Sequence, residues 1–137
     1  MAKKKLELVV FPNPFPQRDY VITHTNPEFT SVCPVTGLPD FGEIEVAFVP
    51  DKLCVELKSL KYYFVGFRNK GIFYEAVTNE ILEDLVAAIA PRWMEVRGTF
   101  STRGGLHSSV VVNFIMGEDK LPKTNRVTIK KLTKSSN

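Results

Sequence analysis

The chain has 137 residues, 44% apolar, 24% charged and 11% aromatic, values that fit one soluble globular domain and exclude a disordered, collagen-like or disulfide-stapled chain. The formal net charge of +3 is unevenly spread: nine of the 18 cations are Lys3, Lys4, Lys5, Lys120, Lys123, Arg126, Lys130, Lys131 and Lys134. The other nine share residues 6–119 with all 15 acids, so that body carries −6, which argues against reading the overall charge as a nucleic-acid footprint. No run approaches the roughly 20 apolar residues of a membrane span, and Leu8 to Phe11 is too short for a signal-peptide core. With only two cysteines, a reducing, cytosolic setting with a free thiol is expected.

Pro12, Pro14, Pro16, Pro27, Pro34 and Pro39 predict an extended N-terminal arm over residues 1–40, without regular helix or central strand. Ile44, Val46 and Phe48 then alternate with polar or small residues, the period of a half-buried strand. After a turn at Pro50-Asp51, Leu53, Val55 and Leu57 predict a second strand, antiparallel to the first. Ser59 is the expected N-cap of a helix carrying Leu60, Tyr63, Phe64 and Phe67, which stops at Asn69-Lys70-Gly71. Val77, Ile81, Leu82, Leu85, Ala88 and Ile89 form the stripe of a second helix, with Glu80, Glu83 and Asp84 opposite and Pro91 at its end. Met94, Val96 and Phe100, the turn Thr102-Arg103-Gly104-Gly105, and the run from His107 to Ile115 predict two final strands. Residues 117–137 read as a basic C-terminal tail, in which Val127 and Ile129 hint at a short strand.

The order ββααββ predicts a single α+β domain over 1–137: an antiparallel four-stranded sheet with two helices on one face. Such a sheet has two open edges, so subunits are expected to join their sheets, with a site where they meet.

Cys33 lies in a proline-bounded loop, Phe29-Thr-Ser-Val-Cys-Pro-Val-Thr-Gly-Leu-Pro-Asp-Phe41, with Asp40 seven residues on. A thiolate is a nucleophile, and an acid nearby can deliver a proton to whatever the sulfur attacks; a buried packing thiol is the plainer alternative. Cys54, within a strand pattern, suits packing. The junction Val55-Glu56-Leu57-Lys58-Ser59-Leu60-Lys61-Tyr62-Tyr63 combines two lysines, a hydroxyl, aromatics and a helix start, all compatible with a phosphate-bearing ligand or with a solvated helix face. Glu75 opens the second helix, where an acid is favoured by the helix dipole alone. Arg103 beside Gly104-Gly105 could contact an anion, though paired glycines are first a hairpin requirement. His24 and His107 with the two cysteines show no zinc-ligand spacing, so no metal is expected, and no dinucleotide-binding glycine fingerprint is present.

Taken together, the Cys33 to Asp40 motif, Glu56-Leu-Lys-Ser-Leu-Lys-Tyr-Tyr63, Phe73-Tyr-Glu75 and Arg103-Gly-Gly105 resemble the NADPH-dependent 7-cyano-7-deazaguanine reductases of queuosine biosynthesis, over roughly residues 20–115 and in matching order. The resemblance implies the tunnelling fold, in which sheets of several subunits close into a barrel with active sites at subunit interfaces. It also implies reduction of the nitrile to an aminomethyl group through a cysteine thioimide, with two NADPH per turnover as co-substrate. Cys33 would be the nucleophile and Asp40 the acid. Glu75 would anchor the guanine-like face, helped by Tyr74, where many members carry histidine, and by Val55, Glu56 and Leu57. Lys58, Ser59, Lys61, Tyr62 and Arg103 would hold NADPH. The implied partners are the small deazaguanine and further copies of the chain, with no membrane and no direct nucleic-acid binding. Two alternatives remain at this point. One is the related archaeal transferase of an amidino group onto tRNA, which tends to lack the lysine-rich motif. The other is a tRNA-binding module without catalysis.

Overall fold

The computed structural model describes residues 5–133. In chain order its elements are β1 (Leu6–Pro12), β2 (Ile22–Val32), β3 (Pro39–Val49), β4 (Leu53–Val55), α1 (Leu57–Val65), α2 (Tyr74–Ile89), β5 (Trp93–Arg103), β6 (Leu106–Ile115) and β7 (Val127–Lys131). The architecture is α+β. One sheet has the order β2-β3-β5-β6 and is antiparallel throughout; a second has the order β4-β1-β7. Within the larger sheet the chain reads ββααββ, with both helices between β3 and β5.

The strands of that sheet are not the expected four. The run from Leu53 does not fold back on β3. It pairs antiparallel with β1, in the register Val10 with Val55 and Pro12 with Leu53. Alternation specifies a strand and its buried face but not its partner, and both sides of β3 are already taken by β2 and β5.

The proline-rich segment likewise departs from the expected strand-free arm. Leu8 and Val10 are fully buried, which makes β1 the central strand of its sheet, with Pro12 at its very end where no further ladder bond is required. Pro27 is tolerated because β2 is an edge strand and the ladder skips between Asn26 and Phe29. At that bulge the Asn26 side chain accepts a hydrogen bond from Glu28 N at 3.0 Å.

Ile44, Val46 and Phe48 of β3, Met94, Val96 and Phe100 of β5, and Val77, Ile81 and Leu85 of α2 form one buried cluster. Each such side chain contributes about 1.5–3 kcal/mol. That packing fixes α2 against the sheet. It also gathers four chain ends at one end of the sheet: the close of β2, the start of β3, the close of β5 and the start of β6, in the register Val32 with Pro39, Gly42 with Phe100 and Arg103 with Leu106.

Asp84, expected among the exposed acids, is 1% exposed. Its carboxylate accepts hydrogen bonds from Tyr63 Oη at 2.6 Å, Thr124 Oγ1 at 2.8 Å and Arg126 Nε at 3.0 Å. The Tyr63 phenol is pushed well up, first by burial and then by Asp84. These bonds dock the basic C-terminal segment, whose β7 then pairs parallel with β1. Asp84→Ala removes the acceptor of three donors and is expected to lower stability by about 3 kcal/mol in denaturant unfolding. An effect below about 1 kcal/mol would mean that the cluster is incidental. Among the described residues no helix is long and apolar enough to cross a membrane.

Candidate active site

Cys33 follows β2 directly, and its loop is closed by backbone bonds from Cys33 N to Leu38 O and from Gly37 N to Cys33 O, both 2.9 Å. Gly37 sits at φ 73°, a conformation that favours glycine. On the other side Val32 N donates to Lys70 O and Ile72 N to Val32 O, both 3.0 Å, pinning the loop to the connection between the helices.

The Cys33 thiol is half-buried. Its pKa is held below the usual range, chiefly by the hydrogen bond from the Thr36 side chain and then by backbone N–H groups of Thr36 and Val35. Cys54 is buried in β4, and its thiol is pushed up by burial. Iodoacetamide is therefore expected to label Cys33 and spare Cys54. Thr36→Val should move the midpoint of the labelling-rate profile to higher pH, because the thiolate loses its principal donor. Equal labelling of both cysteines, or an unmoved midpoint, would contradict this assignment.

Asp40, at the start of β3, is 4% exposed. Tyr74 Oη donates to its Oδ1 at 3.1 Å, and the Arg103 guanidinium forms an ion pair with the same oxygen. Both donors meet Oδ1, and Oδ2 takes no hydrogen bond from another described residue. Burial, then Asp40, raises the Tyr74 phenol, so it keeps its proton and stays a donor. The hydrogen bond to Asp40 likewise raises the Arg103 guanidinium.

Cys33, Asp40, Tyr74, Glu75 and Arg103 line one cavity of about 260 Å³. Glu75 is exposed in the first turn of α2. Phe73, given no role of its own within the Phe73-Tyr-Glu75 motif, and Ser101 and Ser108, not singled out from the sequence, also line this cavity. Phe73 is the N-cap residue of α2 and remains 57% exposed, while the two serines flank the hairpin of Gly104 and Gly105. An aromatic residue two positions before the helix-opening Glu75 was the sequence signal for Phe73; the serines had none.

The remaining expected residues lie elsewhere in the chain. Val55 is buried in the core against β1. Glu56, and not Ser59, is the N-cap of α1: its carboxylate accepts from Lys58 N at 2.7 Å and Ser59 N at 2.8 Å. Ser59 donates to Glu56 O and accepts from Val9 N, both at 2.9 Å, and so ties α1 to β1. Glu56, Lys58, Ser59 and Tyr62 line a cavity of about 520 Å³ together with Lys5. Leu57 and Lys61 line another, of about 360 Å³, beside His24 and Arg68. Neither cavity shares a residue with the one around Cys33.

The family model described as "QueF-like protein" matches residues 39–118, which takes in Asp40, Tyr74, Glu75 and Arg103. The chain is 57% identical over 120 residues to the NADPH-dependent 7-cyano-7-deazaguanine reductase of Chlorobium phaeobacteroides, covering 88% of this chain and 100% of the relative. The chain belongs to the QueF-like family. The reductase of the same name from Chlorobaculum tepidum is 62% identical over 114 residues, 83% of this chain and 96% of the relative. Among solved structures, the archaeosine synthase QueF-Like in its apo form aligns with a TM-score of 0.64 at 24% identity, over 68% of this chain and 91% of that one. The last comparison bears on the fold alone.

Proposed function

We propose that this chain reduces the nitrile of 7-cyano-7-deazaguanine to the 7-aminomethyl group with NADPH, in queuosine biosynthesis. The observation that carries the reading is the single cavity that brings the Cys33 thiol, the Asp40 carboxylate and Glu75 together, in a chain whose similar relatives bear that activity in their names.

In the first step Cys33 sulfur bonds to the nitrile carbon, C≡N becomes C=N, and the thiol proton reaches the nitrogen by way of Asp40 Oδ2, giving a neutral thioimide. Dividing addition to a weak electrophile in this way replaces one difficult step by easier ones. Glu75 pairs with the amidine-like N–H edge of the deazaguanine, a charge-assisted match of two donors to two acceptors, and Tyr74 lies beside it. NADPH supplies hydride, and the change from nitrile to primary amine needs two, so two NADPH are used per turnover. The imine formed between them has to be held away from water.

The residues of the α1 junction fit an anionic co-substrate in a modified form. Because Glu56 takes the N–H groups of Lys58 and Ser59, the helix end is not free to hold a phosphate. Phosphate contacts then fall to the Lys58 and Lys61 ammonium groups and to Arg103, with exposed Tyr62 as a stacking surface; Ser59 acts by anchoring the helix. Since Lys58, Lys61 and Tyr62 line cavities separate from the one that Arg103 shares with Cys33, a complete site is assembled between subunits of the tunnelling fold, where the segment Val55-Glu56-Leu57 of one subunit adjoins the Cys33 cavity of another. A free nucleophilic thiol suits a reducing compartment, which supports a cytoplasmic reading of the enzyme.

The activity is tested by NADPH consumption: loss of absorbance that depends on the cyano substrate, at two NADPH per product, supports the reading. No substrate-dependent loss would favour the amidino transfer. The shared site is tested by complementation. Cys33→Ala protein and Lys58→Ala/Lys61→Ala protein, each inactive alone, should regain about a quarter of full activity when unfolded and refolded together, as random assortment of two half-sites requires. No recovery in mixed assemblies would place both halves in one chain.

A further inference from the structure

Tyr74 is held on Asp40 by a support that none of the motifs contains. Its ring lies flat on that of Phe100, with centroids 3.8 Å apart and 4° between the planes. Free aromatic pairs favour offset or edge-to-face contacts at wider separation, so a parallel contact this close is imposed by its surroundings. Phe100 is 2% exposed on the core face of β5.

Two glycines make room for it, at strand positions where no turn explains them. A Cβ on Gly42 would stand 2.8 Å from Phe100 Cδ1 and from Thr99 O. One on Gly98 would stand 2.9 Å from two Phe100 ring carbons and from Thr78 Oγ1. Inward-facing strand positions are where a fold gains most from a branched apolar side chain, and glycine there weakens the strand. The seat therefore sacrifices strand stability for the placement of one ring. Thr78 adds to the same end: its hydroxyl donates to Tyr74 O at 2.9 Å, and Gly98 leaves space for that contact.

We infer that Phe100, seated between Gly42 and Gly98, is a positioning residue for the acid–base step: it fixes the Tyr74 ring so that the phenol stays on Asp40 Oδ1. This rests on the reading of Cys33 and Asp40 given above. A loose Tyr74 ring leaves Asp40 with Arg103 alone and free to turn its Oδ2 away from the reacting nitrogen. Substrate binding through Glu75 is unaffected, so the effect falls on the rate of adduct formation and not on affinity.

The test measures the maximal rate of adduct formation and the half-saturating concentration of 7-cyano-7-deazaguanine, by quenched-flow mass spectrometry, for the unsubstituted protein, Phe100→Leu, Gly98→Ala, Tyr74→Phe and the double variant Phe100→Leu/Tyr74→Phe. Each single substitution is expected to slow the step about tenfold, the scale of one lost hydrogen bond to a charged group, with half-saturation changed less than about twofold in Phe100→Leu and Gly98→Ala; Tyr74→Phe, which alters a residue beside the substrate, is compared on the rate alone. The double variant should be no slower than Tyr74→Phe, because both changes remove the same hydroxyl from Asp40. Normal rates in Phe100→Leu and Gly98→Ala, or a double variant slowed by the product of the two factors, would overturn the inference. If Phe100→Leu does not fold, Phe100→Met and Gly98→Ala carry the comparison. Failure of the unsubstituted protein to form any adduct would instead overturn the reading of Cys33, and this inference with it.

Discussion

Cys33→Ala is expected to abolish turnover while leaving the fold and reversible substrate binding in place. The side chain is half-buried in a loop whose shape is set by backbone bonds to Leu38 and Gly37 and by the pins to Lys70 and Ile72, none of which involves sulfur. Alanine therefore removes the nucleophile at little structural cost. No other side chain is placed to replace it: Ser101 and Ser108 carry neutral hydroxyls that are hydrogen-bonded to no base among the described residues, and Cys54 is buried in β4 with its thiol pushed up. Turnover in Cys33→Ala at even a hundredth of the normal rate would mean that the nitrile is reduced without covalent attachment to this residue.

Asp40→Asn has the second largest expected effect, a slowing of adduct formation by about 10²–10⁴, the usual contribution of a placed acid–base group. Asparagine keeps the size of the side chain and an oxygen for Tyr74 to donate to, but its amide cannot relay a proton, and it ends the ion pair with Arg103. Substrate affinity, which the proposal assigns to Glu75, should change by less than about threefold. This separates the two carboxylates: Glu75→Ala is expected to weaken binding by a few kcal/mol, the loss of a charge-assisted pair, with a smaller effect on the rate of the bound complex. An Asp40→Asn enzyme that binds poorly but reacts at the normal rate would exchange the two roles.

Much of this was legible in the sequence wherever chemistry and local pattern coincided. The loop around Cys33, the acid at Asp40, the opening of α2 at Tyr74 and Glu75, and the hairpin with Arg103 were identified from motifs far apart in the chain, and the fold gathers them at one end of a sheet. Long-range pairing was not legible. Leu53 to Leu57 has the alternation of a strand, but which strand it meets depends on edges that other segments had already filled. The proline count hid β1 and β2, because proline at a strand's end or at an edge bulge costs the ladder nothing. Asp84 looked like a solvated acid from its place opposite the apolar stripe of α2, and only the docking of Thr124 and Arg126 accounts for its burial. Glu56 and Ser59 exchanged roles for a local reason: the longer carboxylate reaches two N–H groups of the first turn, and the hydroxyl one turn later is used to bind β1. Glu56 thereby occupies the first-turn N–H groups of α1, so in the proposed site the phosphate contacts fall to the lysine side chains.

The intact mass of the unsubstituted protein after incubation with 7-cyano-7-deazaguanine and no NADPH tests the central claim most directly. The account predicts a gain equal to the mass of one substrate molecule per chain, mapped by peptide analysis to Cys33. An unchanged mass, or a gain mapped to Cys54 or any other residue, would contradict it.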